Sequence, residues 1–195
     1  MIFLALIALF YYVYVCVART TVDYFPTFAI KFLRWPVKNT SLLESLYFGA
    51  HSLGRFLGVP LSFVLRPRTM IVINLLLTLI ASVILLPVKI IPELLWASSA
   101  LAGIGSATTF ATALLWVSEL IPIDGRVASV VVASGSVGGI VQPQIVGRLF
   151  QVPAVGGPMS LVYVSVTAAL IHIASFTCML LFAARYLRDS ETKYR

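Results

Sequence analysis

The sequence predicts an all-α fold: a polytopic membrane protein of six transmembrane helices. Three observations carry that reading. Of 195 residues, 60% are hydrophobic and only 11% charged, with a mean hydropathy of +1.01. A soluble domain uses roughly 25% charged residues to clothe its surface. The few charges also bracket long uncharged runs, each close to the ~17–25 residues that a helix needs to cross a bilayer. Finally, those runs are continuously apolar and do not alternate, which argues against a β-barrel. High hydrophobicity excludes disorder. The basic excess, 14 Lys and Arg against 7 Asp and Glu, is scattered singly and forms no stripe for nucleic acid.

The charges delimit the spans in order. Residues 2–18 carry none, and the first span is placed at about 2–30. Residues 45–65 carry only Arg55, within a second span at about 43–65. Arg68 and Lys89 enclose the third, 69–88, and Glu93 and Glu119 the core of the fourth, 94–121. Arg126 and Arg148 enclose the uncharged core, 127–147, of the fifth, 127–149. Pro153, Gly156, Gly157 and Pro158 interrupt the next uncharged run, leaving a sixth span at about 159–187. The whole chain, 1–195, reads as a single six-helix domain with a cytoplasmic tail at 188–195.

An even number of spans puts both termini on one side. Arg66, Arg68, Arg126, Arg185, Arg188, Lys193 and Arg195 share it, against Lys31, Arg34, Lys38 and Lys89 on the other. The positive-inside rule makes that side cytoplasmic. The expected setting is a plasma membrane more than an organelle, with the bilayer itself a partner. Met1 leads directly into apolar residues with no basic n-region, so the start reads as a cut edge rather than a signal peptide. Cys16 and Cys178 fall in apolar spans and read as small buried hydrophobes, not as a disulfide or a metal site.

Arg55 carries the functional signal. Ten uncharged residues flank it on each side, which places it ~15 Å from either interface. A charge at that depth costs ~2.5–3.5 kcal/mol on insertion scales and normally faces a partner or a watery cavity. Glu44, Phe48, His51, Arg55, Gly58 and Ser62 step by 4, 3, 4, 3 and 4 and share about 80° of helix arc. Such a stripe lines a pathway, or it holds Arg55 in a structural ion pair. Ala50, Gly54 and Gly58 step by four and suit close helix packing, as do Ser134 and Gly138 with Gly135 and Gly139. Pro60 is expected to bend the second span.

Other polar residues have two readings each. Arg19 and Asp23, four apart, form a local pair or face the cavity. Gln142 and Gln144, flanking Pro143, suit a polyol or serve as interhelical glue. Trp116 binds substrate or anchors at the interface. Glu119 and Arg126 pair across the turn at Pro122–Gly125 or gate. His172 reads as a satisfied structural histidine. An enzyme is not expected. An intramembrane serine protease would need a Gly-x-Ser turn in the fourth span, and Gly103-Ile104-Gly105-Ser106 has the wrong spacing. No phosphate loop, zinc spacing or nucleophile elbow occurs.

The stretch from Phe48 through Gly49-Ala50-His51-Ser52-Leu53-Gly54-Arg55-Phe56-Leu57-Gly58 to Val59-Pro60-Leu61 resembles the eighth helix of major facilitator superfamily transporters. It is most similar to the branch of sodium-dependent glucose transporter-like and fucose–proton symporter-like proteins. Arg66-Pro67-Arg68-Thr69-Met70 resembles that branch's loop into helix nine. Glu119 through Gly125-Arg126 to Gly138, Pro143 and Gly147 resembles its helices ten and eleven.

The resemblance implies the C-terminal six-helix half of a twelve-helix transporter, built as two inverted three-helix repeats around a midplane site. It implies secondary transport of a small polar solute, a sugar such as glucose, by alternating access. It places Arg55, His51, Gln142, Gln144 and Trp116 at the solute, and Arg19, Asp23, Glu119 and Arg126 in coupling or gating. It further implies a partner, either an N-terminal six-helix half or a second copy. No cofactor is expected, and sodium or proton coupling is left open. Where the branch has an Ala-Glu pair this chain has Ala18-Arg19, so the coupling acid is absent there, and Asp23 is the nearest substitute. The alternative is a truncated or regulatory membrane protein that does not transport but associates with a full-length transporter.

Overall fold

The computed structural model describes residues 2–152 and 157–193, with side chains as far as Arg185. Pro153 and Gly156 of the expected break, and Tyr194 and Arg195 of the tail, lie outside the described residues, as do the side chains of Arg188 and Lys193. Seven α-helices make up the described chain: α1 (Ile2–Lys31), α2 (Val37–Val64), α3 (Pro67–Ile84), α4 (Leu94–Ala107), α5 (Thr109–Ser118), α6 (Gly125–Gln151) and α7 (Ser160–Lys193). A 3-10 turn at Gly157–Met159 leads into α7.

Local chemistry sets the ends. Pro67 begins α3 at a position where its missing N–H costs nothing. Asp124 caps α6, accepting from Arg126 N (3.1 Å) and Val127 N (2.9 Å). That carboxylate occupies the turn, and Glu119 and Arg126 do not pair across it. The pair Arg19–Asp23, at 3.7 Å, is the one ion pair among the described residues. α1 closes with Trp35 N on Ala29 O (3.0 Å) while Arg34 takes a φ of 56°. This is the left-handed helix end usually assigned to glycine.

Five segments are long and apolar enough to cross a membrane: α1, α3, Leu94–Ser118, α6 and Gly157–Arg185. α2 has the length, at 28 residues, but His51, Arg55 and three glycines lower its hydropathy. It nevertheless lies alongside α4 for most of that helix.

The packing shows two related units. α1 pairs with α6, and α2 with α4; α3 pairs with α4, and α1 with α7. Exchanging the first three spans for the last three turns each of these pairings into the other member of its couple. A three-helix unit that repeats must reappear upside down, because an odd number of passes reverses direction. The α1·α6 and α2·α4 pairs each run parallel, as Tyr12 against Gly138 with Tyr24 against Gly147, and Tyr47 against Gly103 with Gly54 against Ala107, demonstrate. The described residues thus form an all-helical arrangement of two inverted three-helix units.

Apolar side chains concentrate at the two ends of the bundle. One cluster joins Ile7, Phe10, Ile71, Trp116, Val127 and Met179. The other joins Phe28, Leu43, Val88, Leu95, Val146 and Leu161. A third, smaller cluster joins Tyr47, Ala81 and Ala102, and small and hydroxylated residues such as Gly103, Gly105, Ser106 and Thr109 lie beside it on the fourth span.

Candidate functional site

The fourth span is broken at its centre. Its sequence Gly103-Ile104-Gly105-Ser106-Ala107-Thr108-Thr109 combines two glycines with β-branched and hydroxyl residues, and of the seven only Ala107 is a strong helix former. Ser106, Thr109 and Thr112 each bond back to a carbonyl four residues earlier, at 2.8 Å, a habit that bends helices. α4 ends at Ala107 and α5 begins at Thr109. No proline is involved, whereas α2 continues helically through Pro60 to Val64. The backbone interruption thus falls on the span facing Pro60.

Broken backbone in a membrane must find other partners. Tyr14 donates to Ser106 O (3.1 Å) and Tyr11 to Phe110 O (3.1 Å). Arg55 Nε donates to Ala107 O at 3.3 Å. Asn74 Nδ2 donates to Thr108 Oγ1 at 2.8 Å. Ser106 gathers the rest: its oxygen lies 3.0 Å from Tyr47 OH and 3.3 Å from His51 Nδ1, which also sits 3.2 Å from Gly103 O. Side chains from α1, α2 and α3 therefore all converge on one interrupted helix.

Close approach makes this possible. A Cβ on Gly103 would come 2.6 Å from Tyr47 O, and one on Gly105 2.7 Å from Thr78 Oγ1. α4 is held between α2 and α3 with no room for side chains. Gly54 meets Ala107, and Gly58 meets Thr108, directly beside the break.

A groove of about 500 Å³ opens along the break, bordered by Tyr14, Arg55, Ser62, Met70, Thr108 and Thr112 among others. Ligand pockets commonly have volumes of ~300–1,000 Å³. Arg55 is exposed along this groove. The groove opens on α1, α2, α3 and the broken span together.

The structure brings together only part of the expected set. Arg55 borders the groove, and His51 stands one turn away on the Ser106 cluster. Gln142 is buried and donates to Thr20 Oγ1 (2.8 Å), joining α6 to α1 rather than facing the groove. Gln144 is exposed on another face of α6, beside Ile140 and Arg148. Trp116 is fully buried in an end cluster, edge-on to Phe176, with the Arg68 guanidinium 5.8 Å from its ring centroid. It lies apart from the groove and is no surface anchor.

Arg19 and Asp23 are 54% and 30% exposed and stay on α1. Glu119, just past the end of α5, and Arg126, in the first turn of α6, are both exposed. His172 is buried against Phe10, ring centroids 4.6 Å apart, and neither nitrogen has a partner among the described residues. The expected hydrogen bonds are absent, so its environment is aromatic packing. Cys16 is buried but Cys178 is exposed.

Sequence reasoning missed Tyr14, Tyr47, Asn74 and Thr108. The available signal was the run of small and hydroxyl residues at 103–109, with Tyr47 one turn before His51.

Relatives of known family share this sequence. The zebrafish (Danio rerio) protein named sodium-dependent glucose transporter 1 is 35% identical over 107 residues, covering 55% of this chain and 18% of the relative. The human protein of that name is 29% identical over 146 residues, covering 75% of this chain and 28% of the relative. The mouse major facilitator superfamily domain-containing protein 4A is 30% identical over 114 residues, covering 58% and 22%. The chain is a homologue of major facilitator superfamily transporters. The matched stretch spans under a third of each of these relatives' lengths. No family model and no solved structure matches the chain.

Proposed function

We propose that this chain forms one six-helix half of a secondary transporter for a small polar solute of the sugar class. The solute sits in the groove at Arg55, and one half rocks against the other around it. The observation that carries this reading is the interruption of the fourth span at Thr108, opposite a mid-span arginine and beside a cavity of about 500 Å³. The sugar class rests on the names of the relatives.

In this reading Arg55 holds the solute and His51 positions the Ser106 cluster behind it. Gln142 fixes α6 against α1. Trp116 supports α5 from behind, and Gln144 faces the surface that a partner half would cover. The Arg19–Asp23 pair and the exposed Glu119 and Arg126 serve gating as the halves separate. Sodium or proton coupling, if used, falls to Asp23 or to the partner. That partner is an N-terminal six-helix half or a second copy. Both termini face the cytoplasm, and the plasma membrane is the site of action.

The test is uptake of labelled hexoses into proteoliposomes, with the chain reconstituted alone and together with the N-terminal half of a related transporter. Solute-dependent uptake that collapses in Arg55→Leu supports the proposal. Uptake that is unchanged in Arg55→Leu overturns the assignment of the groove.

A further inference from the structure

The groove offers an uneven set of polar groups. Of its twelve lining residues none is Asp, Glu, Asn or Gln. Three hydroxyls already donate their proton within the protein, Tyr14 to Ser106 O (3.1 Å), Ser62 to Val59 O (2.7 Å) and Thr112 to Thr108 O (2.8 Å), and keep only lone pairs for a ligand, while Thr108 accepts from Asn74 (2.8 Å). The amides that a neutral polyol would use for accepting are elsewhere. Gln142 is bonded to Thr20, and Gln144 faces a separate groove.

Arg55 is the unspent group. Its Nε bonds a neutral carbonyl, Ala107 O. Its two terminal nitrogens have no hydrogen-bond partner among the described residues. The ion pair Arg19–Asp23 is complete in itself and lies on α1. A guanidinium in the middle of a membrane is costly until a negative charge meets it. Its free edge presents two parallel N–H donors, the geometry that carboxylates accept.

We infer that the groove at the Thr108 break binds the carboxylate of a small organic anion through the terminal nitrogens of Arg55. This deepens the transporter reading above and rests on it: the solute becomes a sugar acid rather than a neutral sugar. The Nε–Ala107 bond stays in place on binding and fixes the guanidinium relative to the broken helix. The carboxylate then lies along the groove with the sugar's hydroxyls toward Thr108 and Thr112. Neutral sugars lack the one group that Arg55 needs.

The test is calorimetric binding to the full 195-residue chain in phosphatidylcholine nanodiscs. The ligands are D-glucuronate, its uncharged methyl ester and D-glucose. Glucuronate is expected to bind at least about tenfold tighter than either neutral ligand, since hydrogen bonds between charged groups are about twice as strong as neutral ones. Arg55→Gln erases that preference and Arg55→Lys restores part of it. The methyl ester needs no variant, so the comparison stands even where a substitution fails to fold. Equal affinity for glucose and glucuronate overturns the inference and leaves the sugar-binding groove intact. A preference that survives Arg55→Gln overturns it as well, by placing the anion elsewhere. Binding of none of the three overturns both this inference and the solute-binding groove beneath it.

Discussion

The α1·α6 and α2·α4 pairs are the same device used twice, and they end in different chemistry. Both are parallel, and both rely on glycine to bring backbones together: Gly138 against Tyr12 O, Gly103 against Tyr47 O. In the α1·α6 pair the helices are continuous and the polar groups close on each other. Gln142 bonds Thr20, and Tyr24 donates to the Pro143 carbonyl. In the α2·α4 pair one helix is interrupted, so carbonyls become available and an arginine is left with spare donors beside a cavity. Close packing alone therefore gives stability. A site arises where close packing coincides with a broken backbone.

The largest expected effect tests whether the tight contacts are equivalent. Gly103→Ala and Gly138→Ala each place a Cβ within 2.7 Å of a backbone carbonyl, and overpacking costs about 1–3 kcal/mol. Thermal unfolding in detergent should show similar losses for both. Solute binding should fall only for Gly103→Ala, which displaces Ser106 and Thr108. Equal loss of binding in the two variants would break the contrast between the pairs.

The polar contacts come next. Ser106→Ala deprives Tyr47 and His51 of a shared partner and should cost about 1–1.5 kcal/mol, against about 0.6 for Gln142→Leu, typical of a single bond between membrane helices. Unfolding of the two variants and of their combination checks both values. Additivity is expected, because the clusters share no partner.

A smaller effect of opposite sign comes from Gly139. A Cβ there finds Val15 Cγ1 at 3.6 Å, an ordinary contact, so Gly139→Ala should stabilise α6 by about 0.5–1 kcal/mol through helix propensity. Loss of stability would show that α6 sits closer to α1 than these contacts imply. The smallest change concerns the Arg19–Asp23 pair. Separating it with Arg19→Ala should alter stability by about 0.3–0.5 kcal/mol or less, as for exposed pairs one turn apart, and unfolding at low and high salt measures it.

Much of this was legible in sequence. Continuous apolar runs between charges are enough to mark membrane helices, because a bilayer forces each pass to satisfy its own backbone. Arg55 was legible for the same reason, since any charge at that depth stands out against its flanks. The glycine steps of α2 and α6 also announced close packing. The position of the break was not legible. Pro60 and Thr108 both carry a local bias against helix, and the sequence signal at Pro60 is the stronger. Yet α2 runs through Pro60, while α4 yields where Gly103 and Gly105 are trapped between α2 and α3 and where Tyr14, Arg55 and Asn74 wait to satisfy what opens.

The sequence by itself determined the class of the protein and marked the one charge set deep within an apolar segment. Composition and spacing decide these, because they depend on a solvent that excludes unpaired polar groups. Only the tertiary structure decided which polar residues share a site. It sent Gln142 to Thr20, Gln144 to another face and Trp116 into an end cluster, and it joined Tyr14, Tyr47 and His51 at Ser106. Those assignments depend on which helix lies beside which, and partners so far apart in sequence leave no periodic trace in it.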